Sequence, residues 1–132
     1  MKGRIIFQKW IYRTDLVKNR DKLYVFGDNM QAVGLGGQAG EMRGEPNAVG
    51  VPTKWSPSMR DDAFFQDSDL YMVKKTIDHE FLRLRDHIAA GGDVVFPADG
   101  LGTGLSQLPV RAPRILAHIE ELVSHLQYFS EN

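Results

Sequence analysis

The chain has 132 residues, 42% hydrophobic and 25% charged, which fits one globular domain over residues 1–132. Its formal net charge of -1 gives no broad surface field for nucleic acid. The lack of cysteine excludes disulfides, iron–sulfur clusters, cysteine zinc sites and a thiol nucleophile, and it fits a cytoplasmic protein. No stretch is long and apolar enough to predict a membrane span.

In chain order, short apolar strands alternate with helices. Strands are predicted in RIIFQKWIY, LYVFGD, NAVGVPT and DVVFPADG, and the polar segment TDLVKNRDK is predicted to be a connection. A short helix should begin near Gly37, and a long one should run from Ser68 to the glycines at 91 and 92. The last helix follows GLGTGLSQLP, with Pro109 in its first turn and an apolar face beginning at Val110.

This alternation predicts an α/β fold with three layers, in which helices cover both faces of a mostly parallel or mixed sheet. In such sheets, ligands bind beyond the carboxyl ends of the strands. Two glycine-rich turns, GLGGQAG at 34–40 and GLGTGL at 100–105, each follow a strand. We therefore expect both turns at the same edge of the sheet.

Glycine leaves backbone N–H groups uncovered by side chains, so a glycine-rich turn can bind phosphate. Two such turns at one edge favour a diphosphate ligand, although each could equally be a tight strand-to-helix turn. GLGGQA fits the dinucleotide-binding pattern, but an acidic residue at the required spacing is missing. No P-loop is present, and we expect neither a cofactor nor a metal, since no histidine has metal-ligand spacing.

The order of these motifs resembles the macro domain family, over residues from about 14 to 123. TDL stands where that family has G-D-I, VFGDN where it has V-N-A-A-N, and FPADGLGTGL resembles its second glycine loop. Macro domains are three-layer α/β domains that bind ADP-ribose. The resemblance therefore implies ADP-ribose, or a macromolecule carrying it, as the partner.

Carried over by position, the resemblance implies a role for each matching residue. Asp15 would accept a hydrogen bond from the adenine amino group, and Asn29 would contact the distal ribose. The residues implied to hold the diphosphate and distal ribose from the first loop are Gly36, Gly37, Gln38 and Ala39. Those implied to close over the phosphates from the second are Gly100, Gly102, Thr103, Gly104 and Leu105.

The segment VPTKWSP resembles I-T-K-K in the macro domains that release ADP-ribose from proteins or nucleic acid. In that subclass a lysine attacks the distal ribose, and Lys54 occupies its place. The aspartate of that subclass is replaced by Ser106, and a hydroxyl is a poor general base near neutral pH. Asp28 or Asp99, which flank the two loops, could act instead, with Asn29 beside them.

Three functions are therefore consistent with the sequence. The first is binding of an ADP-ribosyl nucleotide with hydrolysis at its distal ribose. The second is a non-catalytic reader or sequestering module of the same fold. The third is a structural or partner-binding α/β domain, in which the glycine loops are only turns.

Overall fold

The computed structural model describes residues 1–132 as an α/β domain. Its strands are β1 (Ile5–Gln8), β2 (Leu23–Asn29), β3 (Ala48–Lys54) and β4 (Val94–Pro97). Its helices are α1 (Arg13–Lys18), α2 (Ala39–Met42), α3 (Leu70–Ala89), α4 (Leu108–Arg111) and α5 (Pro113–Glu131). The four predicted strands are all present.

The sheet has the order β1-β4-β2-β3, and every ladder between its strands is parallel. The sheet is therefore parallel, and the alternative of a mixed sheet is excluded. Since all four strands run in the same direction, their carboxyl ends lie at one edge. The turns that follow β2 and β4, which are neighbours in the sheet, start there side by side.

Helices cover both faces of the sheet because inward and outward side chains alternate along each strand. On β2, Val25 faces the larger core formed with α3 and α5, whereas Tyr24 and Phe26 face a smaller core formed with α1 and α2. β4 divides in the same way, with Phe96 in the larger core and Val95 in the smaller. The predicted three layers are confirmed.

The segment predicted as a polar connection after β1 instead contains α1. Leu16 is fully buried and anchors this helix, and the Asp15 carboxylate accepts a hydrogen bond from the backbone N–H of Tyr12 at 2.9 Å. One buried residue and a local cap were sufficient to form a helix. Such a short helix shows no hydrophobic periodicity in the sequence.

The predicted last helix is divided in two at Ala112. Pro113 disfavours helical geometry at the preceding residue, and Ala112 has φ of −148°. Val110 lies on the short α4 and is 85% exposed, so its assignment to the apolar face was wrong. The apolar face of α5 begins at Ile115, which is fully buried.

Two contacts connect the fold beyond the sheet. The segment between β3 and α3 forms two short 3-10 helices and buries Phe64 and Phe65. His118 on α5 lies 2.6 Å from a carboxylate oxygen of Asp78 on α3. The 3-10 segment packs Phe65 into the larger core, and the contact of His118 joins α5 to α3.

Candidate functional site

A cleft with two lobes lies at the carboxyl edge of the sheet, between the first glycine loop (Gly34–Gly40) and the second glycine loop (Gly100–Leu105). The two lobes share a waist formed by Gly27, Gly36, Leu105 and Ser106. The smaller, which we call the lysine lobe, has a volume of about 100 Å³ and is lined by Gly27, Asp28, Asn29, Val33, Gly34, Gly36, Ala39, Arg43, Lys54, Pro57, Met59, Leu105 and Ser106. The larger, the tryptophan lobe, has a volume of about 240 Å³ and is lined by Lys9, Trp10, Gly27, Gly36, Gly37, Gln38, Pro97, Asp99, Gly100, Gly102, Thr103, Gly104, Leu105 and Ser106.

The first glycine loop is held by two side chains. Arg43 donates from Nε to the carbonyl of Gly34 at 2.7 Å and from Nη2 to that of Val33 at 3.2 Å. The amide of Gln38 donates to the carbonyl of Ile11 at 2.8 Å and accepts from its N–H at 2.9 Å. The loop is therefore fixed to α2 on one side and to the segment after β1 on the other.

The second glycine loop is held by its own hydrogen bonds and by close packing. The hydroxyl of Thr103 donates to the carbonyl of Asp99 at 2.7 Å, and the N–H of Leu108 donates to the carbonyl of Gly102 at 2.9 Å. Gly102 has φ of +78°, and a Cβ there would lie 2.3 Å from Cδ1 of Leu108. Only glycine fits this position without displacing the buried Leu108.

Consecutive backbone N–H groups on both loops have no acceptor within the protein. This holds for residues 34–39, and again for residues 101–106. Unpaired backbone donors at a concave surface are suited to bind the oxygens of an anion. Because residues from both runs line the waist, the cleft can contact a single ligand from two sides.

Lys54 ends β3 and is 5% exposed, yet it lines the lysine lobe. Its Nζ donates to the carbonyl of Ser58 at 2.8 Å and lies 4.4 Å from the centre of the Phe64 ring. Burial lowers the pKa of the Lys54 ammonium below its ordinary value, and the positive charge of Arg111 lowers this pKa further. A lysine in this state supplies the neutral amine more readily than an exposed one.

Asp28 and Asn29 line the lysine lobe, but both already have hydrogen-bond partners within the protein. The Asp28 carboxylate pairs with Arg43, from which Nη1 donates at 3.2 Å, and it also accepts from the N–H of Asn29 at 2.8 Å. The Asn29 amide donates to the carbonyl of Val33 at 2.7 Å and accepts from the N–H of Gln31 at 3.1 Å. These bonds shape the turn after β2.

The other acidic and hydroxyl candidates lie in different surroundings. One carboxylate oxygen of Asp15 caps α1 and accepts from Nε2 of Gln8 at 2.9 Å, and Asp15 lines neither lobe. Asp99 is exposed on the tryptophan lobe, with no hydrogen bond to its carboxylate. Ser106 lies at the waist, where its hydroxyl is hydrogen bonded to that of Thr53 on β3. The adenine contact of Asp15 stays a prediction.

Four residues at or beside this site were not predicted from the sequence: Lys9, Trp10, Arg43 and Arg111. Trp10 and Lys9 directly follow β1, so the rule that placed the glycine loops at the carboxyl edge would have placed them there too. Arg43 and Arg111 act through partners distant in sequence, Asp28 and Lys54. No local sequence pattern predicts these pairs, because they form only when the chain is folded.

The fold and the cleft define a parallel α/β domain with two glycine-rich loops at one edge of its sheet. A model described as "Family of unknown function (DUF7831)" matches residues 6–122, and the chain belongs to this family. No curated protein and no solved structure matches the chain. None of its helices has the length and apolar character needed to cross a membrane.

Proposed function

We propose that this protein binds ADP-ribose, or a related ADP-ribosyl nucleotide, with the diphosphate at the waist of the cleft. The observation that carries the proposal is the pair of unpaired N–H runs, residues 34–39 and 101–106, on loops that border one cleft. Either loop alone would fit a single phosphate. Two loops on opposite sides of a narrow waist fit two linked phosphates.

The volume on each side of the waist supports a ligand that extends beyond the diphosphate. The tryptophan lobe has room and an aromatic wall, whereas the lysine lobe is smaller and polar at its base. A nucleoside on one side and a second sugar on the other would occupy both. The order of the sequence motifs resembling macro domains supports the same class of ligand.

The alternative that the loops are only structural turns is less consistent with this geometry. The two loops contact each other at the waist, where a Cβ on Gly36 would lie 3.1 Å from Cδ1 of Leu105, and a lobe opens on either side. The open cleft therefore favours a ligand.

Isothermal titration calorimetry with ADP-ribose tests the proposal. We expect saturable binding by the wild type, much weaker binding of adenosine, which lacks phosphates, and loss of affinity in Gly36→Val, which narrows the waist. The control is Ala117→Val, which adds two carbon atoms at an exposed position on α5, away from the cleft. Absence of binding at millimolar ADP-ribose would contradict the proposal.

A second candidate function, release of ADP-ribose from a macromolecule, is favoured by the buried Lys54 in the same cleft. In this reaction the neutral amine attacks the anomeric carbon of the distal ribose, and the bond to the modified group breaks as that group gains a proton. Water then hydrolyses the lysine adduct and frees the sugar. Incubation with an ADP-ribosylated protein or DNA, followed by detection of free ADP-ribose, separates this enzyme from a pure reader.

A further inference from the structure

Trp10 is an exposed indole at the wall of the tryptophan lobe. Its side chain is 43% exposed, and its indole N–H donates to no acceptor within the protein. The other tryptophan, Trp55, differs on both counts: it is half-buried, and its indole donates to Asp69 at 3.2 Å. A large aromatic ring left open at the wall of a cleft is suited to stacking.

The backbone around Trp10 is fixed to the first glycine loop. Nε2 of Gln8 donates to the carbonyl of Trp10 at 3.0 Å, and the following residue, Ile11, is held at both its N–H and its carbonyl by the amide of Gln38. Gln38 belongs to the same loop that presents the unpaired N–H groups. The backbone that carries the indole is thus held against the first glycine loop.

Charge and size distinguish the two ends of the cleft. The tryptophan lobe has the larger volume and is lined by the exposed residues Lys9 and Asp99 as well as by Trp10. The lysine lobe is less than half as large, and its base carries Lys54 and the Asp28–Arg43 ion pair. A planar base matches the first lobe, and a hydroxyl-rich sugar matches the second.

We infer that the base of the bound nucleotide stacks on Trp10, so that the ligand runs from a base in the tryptophan lobe, through a diphosphate at the waist, to a sugar in the lysine lobe. This inference rests on the proposed function. It makes Trp10 the residue that recognises a nucleotide rather than a simple sugar phosphate. It also places Lys9 on the side of the diphosphate nearer the base.

The test compares ADP-ribose with ribose 5-phosphate, which has no base, on the wild type and two variants of Trp10. Stacking of a base on an aromatic side chain contributes about 1–3 kcal/mol, so Trp10→Ala should bind ADP-ribose roughly 5- to 150-fold more weakly. Its affinity for ribose 5-phosphate should stay within about twofold of the wild type. Trp10→Phe keeps a ring and should recover much of the lost affinity.

Fluorescence gives an independent readout, because Trp10 and Trp55 are the two tryptophans of the chain. ADP-ribose should quench the emission of Trp55→Phe, which retains Trp10, and should not quench that of Trp10→Phe. Thermal unfolding of each variant checks that it is folded. If Trp10→Ala does not fold, the comparison of quenching between Trp55→Phe and Trp10→Phe tests the inference.

The outcomes separate this inference from the proposed function. Wild-type protein that binds ADP-ribose, together with a Trp10→Ala variant of equal affinity, would overturn the inference alone. Equal weakening for ADP-ribose and ribose 5-phosphate would also overturn it, because Trp10 would then act on the loop and not on the base. Wild-type protein that does not bind ADP-ribose would overturn both.

Discussion

Lys54 at the end of β3 is the ladder partner of Asn29 at the end of β2, directly after a shift in the register of the two strands. Pro52 pairs with Asp28 before the shift, so Thr53 is the extra residue. Side chains alternate along a strand, and an extra residue therefore changes which side chain faces a given partner. The irregularity sets Lys54, and not Thr53, opposite Asn29, at the lobe that both line.

The first prediction concerns Lys54 as a nucleophile. If it attacks the distal ribose, Lys54→Ala should lower the rate of ADP-ribose release by about 10³-fold or more, while ADP-ribose still binds. Lys54→Arg should be equally inactive, because arginine does not supply a neutral nucleophile. Lys75→Ala, at an exposed lysine of α3, is the control and should behave as the wild type.

The same reaction should depend on pH in a defined direction. Only the neutral amine attacks, and the pKa of Lys54 is lowered by burial and by Arg111. The release rate should rise with pH and level off below the range in which an ordinary lysine titrates. Rates measured from pH 6 to pH 10.5 check this, and release that survives Lys54→Ala would rule out Lys54 as the nucleophile.

The second prediction follows from the same pKa but concerns stability. Between the lowered pKa of Lys54 in the folded protein and its ordinary value in the unfolded chain, the unfolded chain binds more protons. Stability should therefore rise with pH across that window, and the cost of burying the charge is fully present below it. Lys54→Met removes the charge and should remove this dependence.

Urea unfolding at several pH values tests this pH dependence. The quantity to compare is the difference in the free energy of unfolding between the wild type and Lys54→Met. That difference should change in favour of the wild type as pH rises from neutral toward 10. The lost hydrogen bond to Ser58 shifts the difference by a constant amount. A difference independent of pH would mean that Lys54 titrates alike in both states.

The third prediction concerns the ion pair between Arg43 and Asp28, whose side chains are only 20% and 10% exposed. Arg43→Met leaves the Asp28 carboxylate unpaired and frees the carbonyls of Val33 and Gly34, so it should cost about 3 kcal/mol of folding free energy. Arg83→Met, at an exposed arginine of α3, should cost at most about 0.5 kcal/mol.

A double-mutant cycle with Asp28→Asn isolates the pair itself. We expect a coupling free energy of about 1 kcal/mol or more from urea unfolding of the two single variants and the double variant. Additive effects would show that the two side chains stabilise the loop separately. Arg43→Met should also weaken ADP-ribose binding, because the carbonyls of Val33 and Gly34 lose the donor that fixes the first glycine loop.

The fourth prediction compares two glycines of the second glycine loop. Gly102→Ala puts a Cβ 2.3 Å from Cδ1 of the buried Leu108, at a positive φ, and should destabilise the protein by about 3 kcal/mol. Gly104→Ala meets nothing within 4 Å and should change the free energy of unfolding by at most about 0.5 kcal/mol. Equal effects of the two variants in urea unfolding would contradict this account of the loop.

The sequence by itself determined which segments form strands and where the long helix α3 lies. Apolar runs located all four strands, three of them ended by glycine or proline, and the alternation of strands with helices put both glycine loops at one edge of the sheet. Those signals are local: they depend on hydrophobic periodicity and on turn residues within a few positions. Where a signal was too short, as in α1, or interrupted, as at Pro113, the sequence prediction failed.

Only the tertiary structure decided what the side chains of the site contact. The order β1-β4-β2-β3 brings Trp10 and the two loops around one cleft, Arg43 to Asp28, and Arg111 near the buried amine of Lys54. These partners are separated by many residues, and their contacts depend on how the layers pack. From the sequence, Lys54 is recognised only as a residue at the end of a strand. Its pKa is lowered only in the folded chain, which buries Lys54 and brings the positive charge of Arg111 near it.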